Sequence, residues 1–182
     1  MKRRPSALLL AILVAAGLPA AASAQQPAPA DRAVLAESGI VFPERLGNFV
    51  RAQVSSLEAG RIAAHYILPA GGPGSTTVDL FVVRVGEPLA EEFAMTERMI
   101  RTIYTDLVVI RDLPAPAAAP GAVGRLWQGN LDGAPVLTGL ILSHRNGWRI
   151  KLRATGPAGQ GADSWADVDG LIRAFDWALP HL

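Results

Sequence analysis

From Gly124 to Thr155 the apolar residues fall into three runs, separated by Asp132-Gly133 and Asn146-Gly147. Such dipeptides between stretches rich in Leu, Ile, Val and Trp mark tight hairpin turns, so the segment predicts three consecutive antiparallel strands. The second turn can close in two ways. A two-residue loop would put Leu140 and Leu142 on one face with Lys151 and Arg153. A three-residue loop, Arg145-Asn146-Gly147, sets His144 opposite Trp148, Leu142 opposite Ile150 and Leu140 opposite Leu152. A one-residue slip moves an entire apolar set to the other face. The pattern therefore favours the three-residue loop, with Gly147 left-handed in a bulge.

Three more strands are expected upstream: Leu46 to about Ser55, Arg61–Leu68 and Thr76–Val85, with Pro69–Ser75 as a flexible loop. The third carries Val78, Leu80 and Val82 on one face and Phe81, Val83 and Val85 on the other. A strand apolar on both faces needs cover on both sides. Leu140-Ile141-Leu142 makes the same demand.

Two helices are available to supply that cover. Over Pro88–Thr105, Leu89, Phe93, Thr96, Ile100 and Ile103 recur at helical spacing, and Pro88, Glu91 and Glu92 suit a helix start. Over Ser164–Trp177, Trp165, Val168, Leu171, Ile172 and Phe175 form the apolar side. A fourth strand, Leu107–Arg111, and a linker, Pro114–Gly121, lie between the helices; the linker's prolines cannot sustain a ladder. Ile40–Pro43 is a short apolar entry, and Asp31–Gly39 is read as a helical turn. The expected fold is α+β: an antiparallel sheet of about seven strands, in the order three strands, helix, four strands, helix, covered by helices on both faces.

That order resembles the PsbP-like fold, named for an extrinsic photosystem subunit and shared by a Ran-binding nuclear import factor and several exported bacterial proteins. The resemblance spans Leu46–Trp177. Phe42-Pro43-Glu44-Arg45-Leu46-Gly47, followed by Phe49 and Arg51, also looks like the opening of uncharacterised exported bacterial proteins. Members of this fold are mostly accessory or binding proteins, which implies binding rather than catalysis.

Met1–Ala24 reads as a signal peptide. Lys2, Arg3 and Arg4 precede the apolar Ala7–Leu18, and Ala22-Ser23-Ala24 offers a cleavage site. Removing 24 residues from 182 leaves 158, enough for one domain over 40–182 behind a flexible leader, 25–39. Three of the 17 basic residues leave with the signal and all 16 acidic ones stay, so the net charge moves from +1 to −2. A near-neutral domain argues against nucleic acid as the partner. No segment after residue 24 is long and apolar enough to be transmembrane. The absence of Cys removes disulfides, thiolate metal sites and a lipid-attachment cysteine.

Candidate chemistry is sparse. His65, His144 and His181 lack metal-ligand spacing, so neither a metal nor another cofactor is expected. Ser143 and His144 are neighbours on a strand and point to opposite faces. No Gly-x-Ser-x-Gly elbow occurs, and Gly71–Ser75 lacks the lysine of a phosphate loop. Glu91 and Glu92 are assigned to the helix dipole and to solubility. No catalytic residue is expected.

The notable feature is basic. Arg149, Lys151 and Arg153 alternate along the last strand and project from one face, with Arg145, Arg125 and Trp127 nearby. They form a candidate stripe for an anion or a partner. The competing reading has the arginine stems lying over apolar surface and pairing with helix carboxylates. The functional expectation is an exported, non-catalytic domain, periplasmic or secreted after cleavage near Ala24-Gln25. It would bind a protein partner or an envelope component as a monomer or weak oligomer. The alternative is a hydrolase-type enzyme using His65 or His144 with a carboxylate.

Overall fold

The computed structural model describes residues 32–35, 39–57, 61–69, 75–159 and 165–177. The expected signal peptide, the segment Gln25–Ala30, most of the loop Pro69–Ser75 and His181 lie outside the described residues. The chain forms β1 (Arg32–Leu35), β2 (Ile40–Pro43), β3 (Arg45–Leu46), β4 (Phe49–Leu57), β5 (Arg61–Ile67) and β6 (Thr77–Arg84). These are followed by α1 (Leu89–Ile103), β7 (Thr105–Asp112), β8 (Val123–Leu131), β9 (Ala134–Arg145), β10 (Trp148–Pro157) and α2 (Ala166–Ala174). β1 and β2 make a two-stranded ribbon, so Arg32–Leu35 is extended where a helical turn was expected. The other eight strands form one sheet in the order β3-β4-β5-β6-β10-β9-β8-β7.

This corrects the expected fold. Among the described residues the sheet has eight strands, because Gly47 takes a left-handed φ of 57° and folds Arg45–Leu46 back on Phe49 as a further pair. Nor is it a sheet roofed by helices on both faces. α1 has 15 residues and α2 nine, and each covers only part of the strands it meets. α1 packs Ile100 against Trp127, Leu140 and Leu142. Trp165, Val168, Leu171 and Ile172, on and beside α2, join the larger core of Leu80, Val82, Ile141, Ile150 and Leu152. Phe81 and Val83 remain half-buried, and Val108, Val109 and Ile110 on the edge strand β7 stand exposed.

The β9–β10 register is a second correction. Arg145 pairs with Trp148 across a two-residue Asn146-Gly147 loop, both at positive φ (48° and 77°), the backbone of a type I′ hairpin. Lys151 therefore sits beside Leu142, and Arg153 beside Leu140. The excluded arrangement forms because β9 is apolar on both faces and α1 brings polar partners to the basic residues.

Candidate functional site

Three strands carry the candidate site, joined by pairings remote in sequence. β10 inserts beside β6, which lines up Arg61, Val83 and Arg149 in one row and Ala63, Phe81 and Lys151 in the next. A third row holds His65, Asp79 and Arg153. α1 borders this surface and stops short of covering it. The result is an open cavity of about 490 Å³ in which Arg61, Arg149 and Lys151 face one carboxylate, Glu92; Arg84 borders it from the other face, its guanidinium turned onto Trp148.

Glu92 is buried, at 4% exposure. Arg149 Nη1 donates to its Oε2 at 2.6 Å, and Lys151 Nζ lies 3.9 Å from Oε1. The Lys151 ammonium also stands 5.2 Å from the centre of the Phe81 ring, and the Arg84 guanidinium 4.0 Å from that of Trp148. Burial pulls the Lys151 ammonium below its ordinary pKa; Glu92 opposes this, and Arg149, Arg153 and Arg61 add to it. This is a lysine crowded by like charge, and a bound anion would relieve that repulsion. His144, beside Arg149, is pushed down first by burial and then by that arginine, and its Nε2 has no hydrogen-bond partner among the described residues.

The expected stripe is only partly brought together. Arg149 and Lys151 enter the cavity. Arg153 lies one row further along and donates from Nη2 to the Tyr104 hydroxyl at 3.0 Å. Burial would raise the Tyr104 phenol, but hydrogen bonds with Thr155, Thr138 and Arg153 and the arginine's charge outweigh it and hold the pKa below the usual value. Arg145 belongs to the opposite face, opposite Trp148. Arg125 bonds Asp112 at 2.9 Å and Glu97 at 3.2 Å. Trp127 is fully buried, with its ring centroid 6.4 Å from that of Phe93, and is a core residue.

His65 Nδ1 lies 2.7 Å from Asp79 Oδ1, so one histidine does meet a carboxylate. Both side chains are well exposed, at 38% and 40%, and the row continues into Gln53 and Arg153, neither of them a nucleophile. Among the described residues no group of three His, Cys, Asp or Glu could hold a metal, and no helix is long and apolar enough to cross a membrane.

No protein-family model and no curated protein sequence matches the chain. Among solved structures it is similar to PA94, a protein of unknown function from Pseudomonas aeruginosa, with a TM-score of 0.47, 14% identity and coverage of 83% of this chain and 96% of that one. It is also similar to a mutant of protein Mog1 (TM-score 0.49, 11% identity, 80% and 94% covered). A third is the Ran-binding protein Mog1p of Saccharomyces cerevisiae (TM-score 0.49, 10% identity, 80% and 93% covered).

Sequence reasoning missed Glu92, Arg61 and Phe81. The signal for Glu92 was present. It falls three residues after Leu89 and four before Thr96, on the stripe that α1 turns toward the sheet, where a carboxylate needs a partner. Arg61 and Phe81 carried no local signal, because only the β5-β6-β10 order places them beside Arg149 and Lys151.

Proposed function

We propose that this chain is an exported, non-catalytic binding domain that takes an anionic group of a protein partner or envelope component into the cavity beside α1. The observation that carries this is the charge balance there: three cations, Arg61, Arg149 and Lys151, around one carboxylate, with a half-desolvated lysine at the floor. Phe81, Val83 and Met95 add apolar contact at the same place, the mixture by which a binding pocket orients a charged ligand. Such a contact weakens with salt, because the opening leaves it within reach of screening ions.

The test is co-purification of the mature chain from its native envelope, with retained partners identified by mass and elution followed across a salt gradient. Arg61 is exposed, so Arg61→Glu reverses one charge at the rim without disturbing the core. Partners should elute at low salt and be lost from Arg61→Glu. Retention that is indifferent both to salt and to this substitution would defeat the proposal.

A further inference from the structure

A second cavity, of about 440 Å³, lies away from the basic face, between the linker after β7 and the end of α2. Its floor is apolar and deeply set: Ile141, Ile172, Phe175 and Trp177 are all under 9% exposed. Trp177 is pinned by its indole N–H, which donates to the Ile172 carbonyl at 2.8 Å, and by an edge-on contact with Phe175 at 5.0 Å. The opposite wall is Pro114–Ala118. This wall is held in place by the fully buried Ala119, whose N–H bonds the Pro116 carbonyl at 2.8 Å, and by the Leu113 N–H to Gly124 carbonyl bond at 2.9 Å. Prolines at 114 and 116 remove backbone freedom, so the space exists before anything enters it.

The rim is charged and unbalanced. Arg111 and Arg173 face one carboxylate, Asp169. The Arg111–Asp169 contact is long, 3.5 Å, and both side chains are more than a third exposed, so it is easily exchanged. Arg173 makes no ion pair with a described carboxylate. An apolar interior of this size below a rim with one surplus positive charge fits a molecule with an oily body and a single negative head.

We infer that this cleft binds a single-chain fatty carboxylate, its tail lying on Ile172, Phe175 and Trp177 and its head between Arg111 and Arg173. This goes beyond the anion cavity beside α1, with which it shares no residue.

The test is titration of the whole chain with laurate below its micellar concentration, with dodecanol as the neutral control, followed by heat and by tryptophan fluorescence. Laurate should give saturable heat and a fluorescence change, and dodecanol should bind at least about tenfold more weakly. Arg173→Glu, an exposed change, should weaken laurate by a similar factor and leave dodecanol alone. Trp177→Phe should abolish the fluorescence change while the heat persists, because the other three tryptophans do not line the cleft. Ala117→Asp, on the exposed wall, should weaken laurate even if Trp177→Phe fails to fold. Absence of saturable laurate heat, equal binding of dodecanol, or undiminished laurate binding by both Arg173→Glu and Ala117→Asp would overturn the inference. So would a fluorescence response that survives Trp177→Phe.

Discussion

Glu92→Gln separates stability from binding at the basic cavity. In the native protein this carboxylate is 4% exposed and holds Arg149 at 2.6 Å and Lys151 at 3.9 Å. The amide keeps the shape and removes the charge, leaving two cations against each other. Removing one partner of a fully buried pair costs about 3–5 kcal/mol. Here Arg149 keeps 15% and Lys151 26% of their side-chain surface in water, so screening brings the expected loss to about 2–3 kcal/mol. For a domain of this size that is a drop in Tm of roughly 5–10 °C.

Glu91→Gln is the matched control. It removes a carboxylate from the same helical turn, with the same dipole contribution but an exposed side chain, and should stay within about 0.5 kcal/mol of the parent. Anion binding should move the other way. With one fewer negative charge in the cavity, the partner's anionic group should bind Glu92→Gln roughly tenfold more tightly. Urea melts of parent and both variants give the stabilities, and salt-gradient retention gives the binding. If Glu92→Gln melts like Glu91→Gln, the pair is not what seats α1. If it is less stable yet binds no better, the cavity is not the binding site.

Gly139→Ala should cost about 2–4 kcal/mol in urea denaturation, because a Cβ there would lie 2.5 Å from the Trp165 ring; a parental melt would show that the ring can retreat. Gly147→Val should cost about 1 kcal/mol or more, since φ is 77° and a β-branched side chain resists positive φ; an unchanged Tm would contradict the type I′ turn. His144 gives a pH dependence of definite sign. Its folded pKa lies below the ordinary 6.5, so on acidification the unfolded chain takes up the proton first. The stability this contributes is complete above 6.5 and is lost as pH falls through the folded value. Denaturation at stepped pH below 7 should therefore show a shallower decline in His144→Gln than in the parent, and parallel declines would refute it.

What could be read from the sequence was local. Asp132-Gly133 and Asn146-Gly147 announce their hairpins because the turn residues themselves must take positive φ, and all four do. The helix at Leu89–Ile103 was visible because its stripe repeats within the element. The β9–β10 register was misjudged by treating charge on an apolar face as an error. Leu140 and Leu142 share their face with Lys151 and Arg153, and the arrangement holds because α1 delivers Glu92 to Arg149 and Lys151, and Tyr104 to Arg153. The extent of helical cover escaped for a related reason. Apolar side chains at Phe81 and Val83 reveal that a face is oily, but not what lies on it. Their row opens onto the cavity, where Phe81 meets the Lys151 ammonium instead of a helix. Both misreadings come from one physical fact. A buried carboxylate on α1 lets this sheet carry cations on an apolar face, and the same carboxylate, outnumbered three to one, leaves that face short of negative charge.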